Sequence, residues 1–161
     1  MKILRAEVLN AYRSHRPLGF YNAVRGHTGV DLKFVNQELP SPITGKVVFT
    51  MHQPEMGNVM YIEDSLGNYH VFAHLDKFVK QVHDPVNRND IIAITGNTGS
   101  RTTAPHLHYE IVCPKPFRTW DFIMKRNELV VKGYNANPLE YLKNLYYKFH
   151  IDLDGKVITS I

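Results

Sequence analysis

His106-Leu107-His108 lies inside an apolar run that continues through Tyr109, Ile111 and Val112. Alternate residues of a strand face the same side, so the run predicts a strand with both imidazoles on one face, about 6.5–7 Å apart along the chain. That is too far for one hydrogen bond between them. It suits one imidazole on a metal ion and the other on a reacting group beside it. Far upstream, His27-Thr28-Gly29-Val30-Asp31 carries a His and a carboxylate four positions apart. Residues i and i+4 share a helix face, but Gly29 and Val30 make a poor helix, and the pattern predicts a loop entering a strand over 30–35. Alone, the His27–Asp31 pair reads as a surface hydrogen bond. With His108 it completes a set of two imidazole nitrogens and one carboxylate oxygen. Three protein ligands with a fourth position left for water is the pattern of a catalytic zinc site, not a structural one.

The rest of the chain reads as short strands punctuated by turn residues. Strands are expected over 43–51, over 58–62 and 69–75 as a hairpin around Ser65-Leu66-Gly67-Asn68, over 91–95, and over 107–112. Thr95-Gly96-Asn97-Thr98-Gly99-Ser100 is a loop by composition. Asn137-Pro138 is a helix start, followed by Leu139, Leu142, Leu145 or Tyr146, and Phe149 at helical spacing. Asp154-Gly155, between Phe149-His150-Ile151 and Val157-Ile158, predicts a terminal hairpin. The expected fold is mainly β: one domain over 1–161, an antiparallel sheet or sandwich forming a groove, with loops and a short C-terminal helix. Its parts would be a core over 24–112, an insertion over 113–136, and the helix and hairpin over 137–161.

A chain of 161 residues with 43% hydrophobic and 21% charged residues supports one globular core. The net charge of +4 favours anionic partners such as wall polymers. The basic residues are scattered, without the aromatic-interleaved patch that a nucleic-acid binder needs. Cys113 is the only cysteine, which excludes an intrachain disulfide. Arg5 and Glu7 interrupt the apolar start before a secretory signal can form, and no stretch approaches the length of a transmembrane helix. These features predict a monomer with neither membrane insertion nor a nucleic-acid partner.

Among the remaining histidines, His74 ends the apolar run Val71-Phe72-Ala73-His74-Leu75, and a base or proton donor beside a metal site would fit there. His70 falls on the same strand face by parity but nearer the turn. His15, His52, His83 and His150 have no partner pattern.

These pieces together resemble the lysostaphin/LytM-type zinc metallopeptidases, which cut peptide cross-links in bacterial peptidoglycan. The resemblance rests on His27-x-Gly29-x-Asp31, Pro42-x-x-Gly45-x-Val47, Ala73-His74-Leu75, Gly96-Asn97-Thr98-Gly99 and Pro105-His106-Leu107-His108-Tyr109-Glu110, in that order, and resumes at Asn137-Pro138-Leu139-Glu140-Tyr141-Leu142. It implies one Zn2+ per chain held by His27, Asp31 and His108, with His74 and His106 as catalytic histidines. Zinc lowers the pKa of bound water toward about 7 and polarises a carbonyl. His106 would then serve as base toward that water and His74 would stabilise the oxyanion or protonate the leaving amine, or the two would exchange these roles. Histidine, with an ordinary pKa of about 6.5, suits both tasks.

The chain departs from the pattern in two places. Ser100-Arg101-Thr102-Thr103-Ala104 is one residue longer than the usual loop, with Ala104 where glycine is common, and Arg101 is either simply solvated or meets a carboxylate of a wall peptide. The segment 113–136 is longer than usual and holds Pro114, Pro116, Phe117, Trp120 and Phe122, which would either wall the groove or cover the sheet. The expectation is a zinc endopeptidase of bacterial peptidoglycan. With no leader and no wall-binding module in view, it would be a phage endolysin, made in the host cytoplasm and acting on the wall or periplasm, with virion association or a trimmed secreted protein as the other settings. The expected bond is D-alanyl–diamino acid. The alternatives are a glycyl-glycine bond, or a non-catalytic LytM-like module that activates a wall amidase; such modules typically lack metal ligands, and this chain keeps all three.

Overall fold

The computed structural model describes residues 4–12, 27–113, 123–125, 128–130, 134–138, 149–151 and 156–159. Their strands are β1 (Leu4–Asn10), β2 (Val30–Leu32), β3 (Glu38–Pro40), β4 (Gly45–Gln53), β5 (Gly57–Asp64), β6 (Tyr69–Phe78), β7 (Pro85–Val86), β8 (Ile91–Thr95), β9 (Leu107–Cys113), β10 (Ile123–Lys125), β11 (Glu128–Val130), β12 (Tyr134–Ala136), β13 (Phe149–Ile151) and β14 (Lys156–Thr159). All pairings are antiparallel, and the main sheet runs β13-β14-β1-β2-β9-β6-β5-β4-β7, with β3, β8 and β12 joined to its sides. The β-rich, single-domain architecture expected from the turn spacing is what forms.

Local chemistry explains the central hairpin. Asp64 Oδ1 accepts the backbone N–H groups of Leu66 and Asn68, and Gly67 takes the positive φ of 78° that the turn requires. β5 and β6 are buried on both faces and therefore read as nearly continuous apolar sequence. On one face Val30, Phe72, Tyr109, Met60, Leu107 and Ile111 join the main core. On the other, Val59, Tyr61, Val71, Ala73 and Val112 form a second cluster.

Register sets which residues meet. Asp31 pairs with His108, and His108 pairs with Ala73. Directly paired residues share a face, so Asp31, His108 and Glu110 lie on the side of the second cluster, while Tyr109 points into the main core. His70 departs from the parity reading. Between the pairs Asn58–Leu75 and Met60–Phe72, β6 holds one more residue than β5, and His74 adopts a φ of 59°. This bulge reverses the alternation. His70 faces the main core, where Tyr109 O–H donates to its Nδ1 (2.7 Å) and its Nε2–H donates to Asp64 Oδ2 (3.2 Å). His74 is turned instead toward His108.

β13 and β14 pair antiparallel, and β14 continues to β1. Of the expected C-terminal helix, Pro138 is helical and 139–148 lie outside the described residues; Phe149, placed at its end by the spacing, is in β13. Pro114, Pro116, Phe117, Trp120 and Phe122 also lie outside the described residues. Within 113–136, β10 pairs with β11, and β12 adds to β9.

Candidate metal centre and active site

The loop before β2 delivers His27 beside Asp31 because Gly29 packs directly on β9. A Cβ at Gly29 would stand 2.3 Å from the Tyr109 carbonyl oxygen. His27 Nε2 is 3.0 Å from His108 Nδ1 and 3.1 Å from Asp31 Oδ1, and His108 Nδ1 is 2.9 Å from the same oxygen. All three residues are buried. They form the one such metal-capable group of His, Cys, Asp or Glu among the described residues.

The outer partners of the two rings decide what these inner atoms offer. His27 Nδ1 faces the Ala11 carbonyl (3.2 Å), and His108 Nε2 faces a Glu110 carboxylate oxygen (3.3 Å). Carbonyl and carboxylate oxygens only accept, so each of these ring nitrogens carries its hydrogen. In the neutral rings the lone pairs of His27 Nε2 and His108 Nδ1 then point at one another and at the Asp31 oxygen. Three acceptor atoms this close need a cation among them, whether a metal ion or a proton. Tetrahedral zinc with bonds of about 2.0–2.1 Å separates its ligands by roughly 3.3 Å, a few tenths of an ångström more than observed. The donor set fits zinc.

In the metal-free protein a proton takes this place. Burial pushes His108 down, but its hydrogen bonds to Asp31 and Glu110 outweigh burial and raise it to about 9. Burial pushes Asp31 up, and the hydrogen bonds and charges of His108 and His27 more than reverse this, holding it well below the usual carboxylate range.

His74 and His106 stand beside the triangle. Their ring centroids are 4.7 Å apart, and His74 is 6.3 Å from the His108 ring. His106 Nε2 is 3.7 Å from Asp31 Oδ1. Each ring has its Nδ1–H tied to a loop carbonyl, His74 to Thr98 and His106 to Ala104, both at 2.8 Å. Each therefore presents Nε2 for chemistry. Burial pushes His74 down to about 4, the Thr98 bond opposing this only in part, so its ring is neutral at pH 7. The positive φ of His74 is held by its backbone N–H donating to Met56 O (3.0 Å) and by Thr98, whose hydroxyl donates to Leu75 O (2.7 Å) and accepts from Asn58 N–H (2.9 Å).

The five residues singled out in the sequence thus converge. The others go elsewhere. His70 is in the core, and exposed His52 pairs through Nδ1 with Asn58 Oδ1; His15 lies outside the described residues. Arg101, read as either solvated or meeting a wall-peptide carboxylate, grips Glu55 through Nε (2.9 Å) and Nη2 (3.3 Å) with its side chain half exposed. Sequence reasoning assigned no role to Glu110, Thr28, Thr98 or Thr102. Glu110 had a legible signal, since it follows His108 by two positions on one strand and must share its face. Thr28, whose hydroxyl donates to Glu110 (2.8 Å), and Thr102, 3.2 Å from His106 Nδ1, had none.

The chain is similar to several known proteins. The chain is 35% identical over 92 residues to peptidoglycan DD-endopeptidase ShyA of Vibrio cholerae, covering 55% of this chain and 21% of ShyA. A solved structure of LytU superposes with a TM-score of 0.67 at 25% identity, covering 93% of this chain and 88% of LytU. A zinc-containing peptidase from Vibrio cholerae superposes at 0.56 with 30% identity, covering 66% of this chain and 33% of that one. The chain spans about a quarter of the length of the curated relatives it matches. The family model for peptidase family M23 matches residues 25–117, the stretch that holds all five converging residues, and the chain belongs to that family.

Proposed function

We propose that this chain is a zinc-dependent endopeptidase that hydrolyses peptide bonds in bacterial peptidoglycan cross-links, acting as a monomer with one zinc ion. The observation that carries the reading is the lone-pair triangle of His27, Asp31 and His108 with two further imidazoles presenting Nε2 beside it. His27 Nε2, Asp31 Oδ1 and His108 Nδ1 would hold the ion. Zinc bound there supplies a water of lowered pKa and polarises a carbonyl. The protein does the rest. His106, with Nδ1–H fixed on Ala104, takes the water proton at Nε2. His74, neutral and with Nδ1–H fixed on Thr98, presents a lone pair at Nε2; it first takes up a proton there and then delivers it to the leaving amine or the developing oxyanion. The proposed bond is D-alanyl–diamino acid, supported by the 35% identity to a protein named as a peptidoglycan DD-endopeptidase.

The test is digestion of purified peptidoglycan from a diamino-acid wall and from a glycine-bridged wall, with and without chelator, read by mass spectrometry. Chelator-sensitive conversion of cross-linked dimers to monomers in the diamino-acid wall supports the reading. Cleavage of the glycine bridge alone would replace the bond assignment. Absence of cleavage in both by zinc-loaded protein would refute the reading.

A further inference from the structure

The five converging residues leave Glu110 and Thr28 unexplained. Glu110 follows His108 by two residues on β9 and lies on the same face of the sheet. Its side chain is 18% exposed. One carboxylate oxygen, Oε2, takes both the Thr28 hydroxyl (2.8 Å) and the ring N–H of His108 (3.3 Å). Glu110 sits behind His108, at Nε2, and the donor triangle is on the other side of the ring, at Nδ1. It is therefore not a fourth ligand; it acts on the ligand from the rear. Thr28 adjoins His27, so the Thr28–Glu110 bond ties the loop that delivers one imidazole to the strand that delivers the other, across 82 positions of sequence.

From this geometry we infer that Glu110, oriented by Thr28, is the positioning pair of the metal centre: it selects the Nε2–H tautomer of His108, fixes the ring plane and makes Nδ1 a stronger donor. The physical grounds are general. A ligating imidazole must be neutral at its metal-facing nitrogen, and a carboxylate on the opposite N–H both locks that tautomer and raises the basicity of the ligand. A lone Glu110 could rotate away. The Thr28 hydroxyl removes that freedom.

The inference rests on the metal reading proposed above, and its test separates the two. Zinc affinity is measured by competition with a chromophoric chelator above pH 9, where a competing proton on the ring matters little, for the wild type, His108→Ala, Glu110→Gln, Thr28→Val and Thr28→Ser. Visible spectra of the cobalt-substituted proteins report ligand geometry independently of activity. The wild type should bind one zinc ion and His108→Ala should lose it. Glu110→Gln should bind about 10- to 100-fold more weakly, with altered cobalt bands. Thr28→Val should weaken binding in the same direction, and Thr28→Ser, which keeps the hydroxyl, should restore both affinity and spectrum. Thr28→Val changes no charge and almost no volume, so it carries the test if Glu110→Gln fails to fold. Folded Glu110→Gln and Thr28→Val proteins with wild-type affinity and spectra would overturn the inference, even with a lowered melting temperature. A wild type without zinc, or His108→Ala binding like wild type, would overturn the metal reading itself.

Discussion

Zinc uptake by this protein should release about one proton at pH 7. The perturbation is pH, acting on the nitrogen that must face the ion. In the metal-free protein His108 is raised to about 9, because its hydrogen bonds to Asp31 and Glu110 outweigh the burial that pushes it down. Asp31 is held far below its ordinary range and is ionised throughout. A metal must therefore displace the His108 proton. Below pH 9 each pH unit should cost about tenfold in affinity, so binding at pH 7 should be roughly 100-fold weaker than the limit reached above pH 9. Chelator competition across pH 7 to 9 should give a slope near one in log affinity against pH. Calorimetry at pH 7 in buffers of different ionisation enthalpy should give the same count, about one proton released. A flat affinity across this range, or a binding heat independent of buffer, would refute the reasoning, since the three donors would then meet the metal without a resident proton.

Three further outcomes test the supports of the site. Tyr109→Phe removes the hydroxyl that donates to fully buried His70 Nδ1; it should cost about 1–3 kcal/mol, read as a lower denaturation midpoint with zinc content unchanged. Asp64→Asn should destabilise at neutral pH, because hydrogen bonds from His70, Asn68 and Leu66 overcome burial and depress the Asp64 carboxyl. A depressed carboxylate contributes fully above its unfolded value of 3.8 and loses that contribution as pH falls through the lower folded value. The stability gap between wild type and Asp64→Asn should therefore close in acid, and a gap that widens below pH 4 would contradict the assignment. Thr98→Val strips one hydroxyl from both Leu75 O and Asn58 N–H; it should cost about 1–3 kcal/mol and lower kcat by loosening His74, while zinc affinity stays.

How far the sequence could be read depended on whether a feature was local. The His-x-His strand was legible because strand parity is a local rule, and Leu107 between the two imidazoles is buried as parity requires. Joining it to His27 and Asp31 rested on ligand chemistry and on the resemblance, since no local rule pairs β2 with β9. Parity failed at His70 and His74 because the bulge is made by partners elsewhere: the Met56 carbonyl and Thr98 hold His74 at positive φ. No residue type within β6 announces this, as glycine would have. The partner of Arg101 was not legible because Glu55 lies 46 positions away on the tip of the β4–β5 hairpin. The pairing of β1 with β2 and β14 was likewise unreadable from a short N-terminal run with alternating charges.

The most direct measurement is the zinc content of folded variants, taken with turnover on a wall substrate. The wild type should hold one zinc ion per chain. His27→Ala, Asp31→Ala and His108→Ala should keep the circular dichroism of the wild type and lose zinc and turnover together. His74→Ala and His106→Ala should keep zinc and lose most turnover. Loss of zinc in His106→Ala with retention in His108→Ala would reverse the division between metal ligands and proton carriers. Full turnover by a zinc-free wild type would contradict the account altogether.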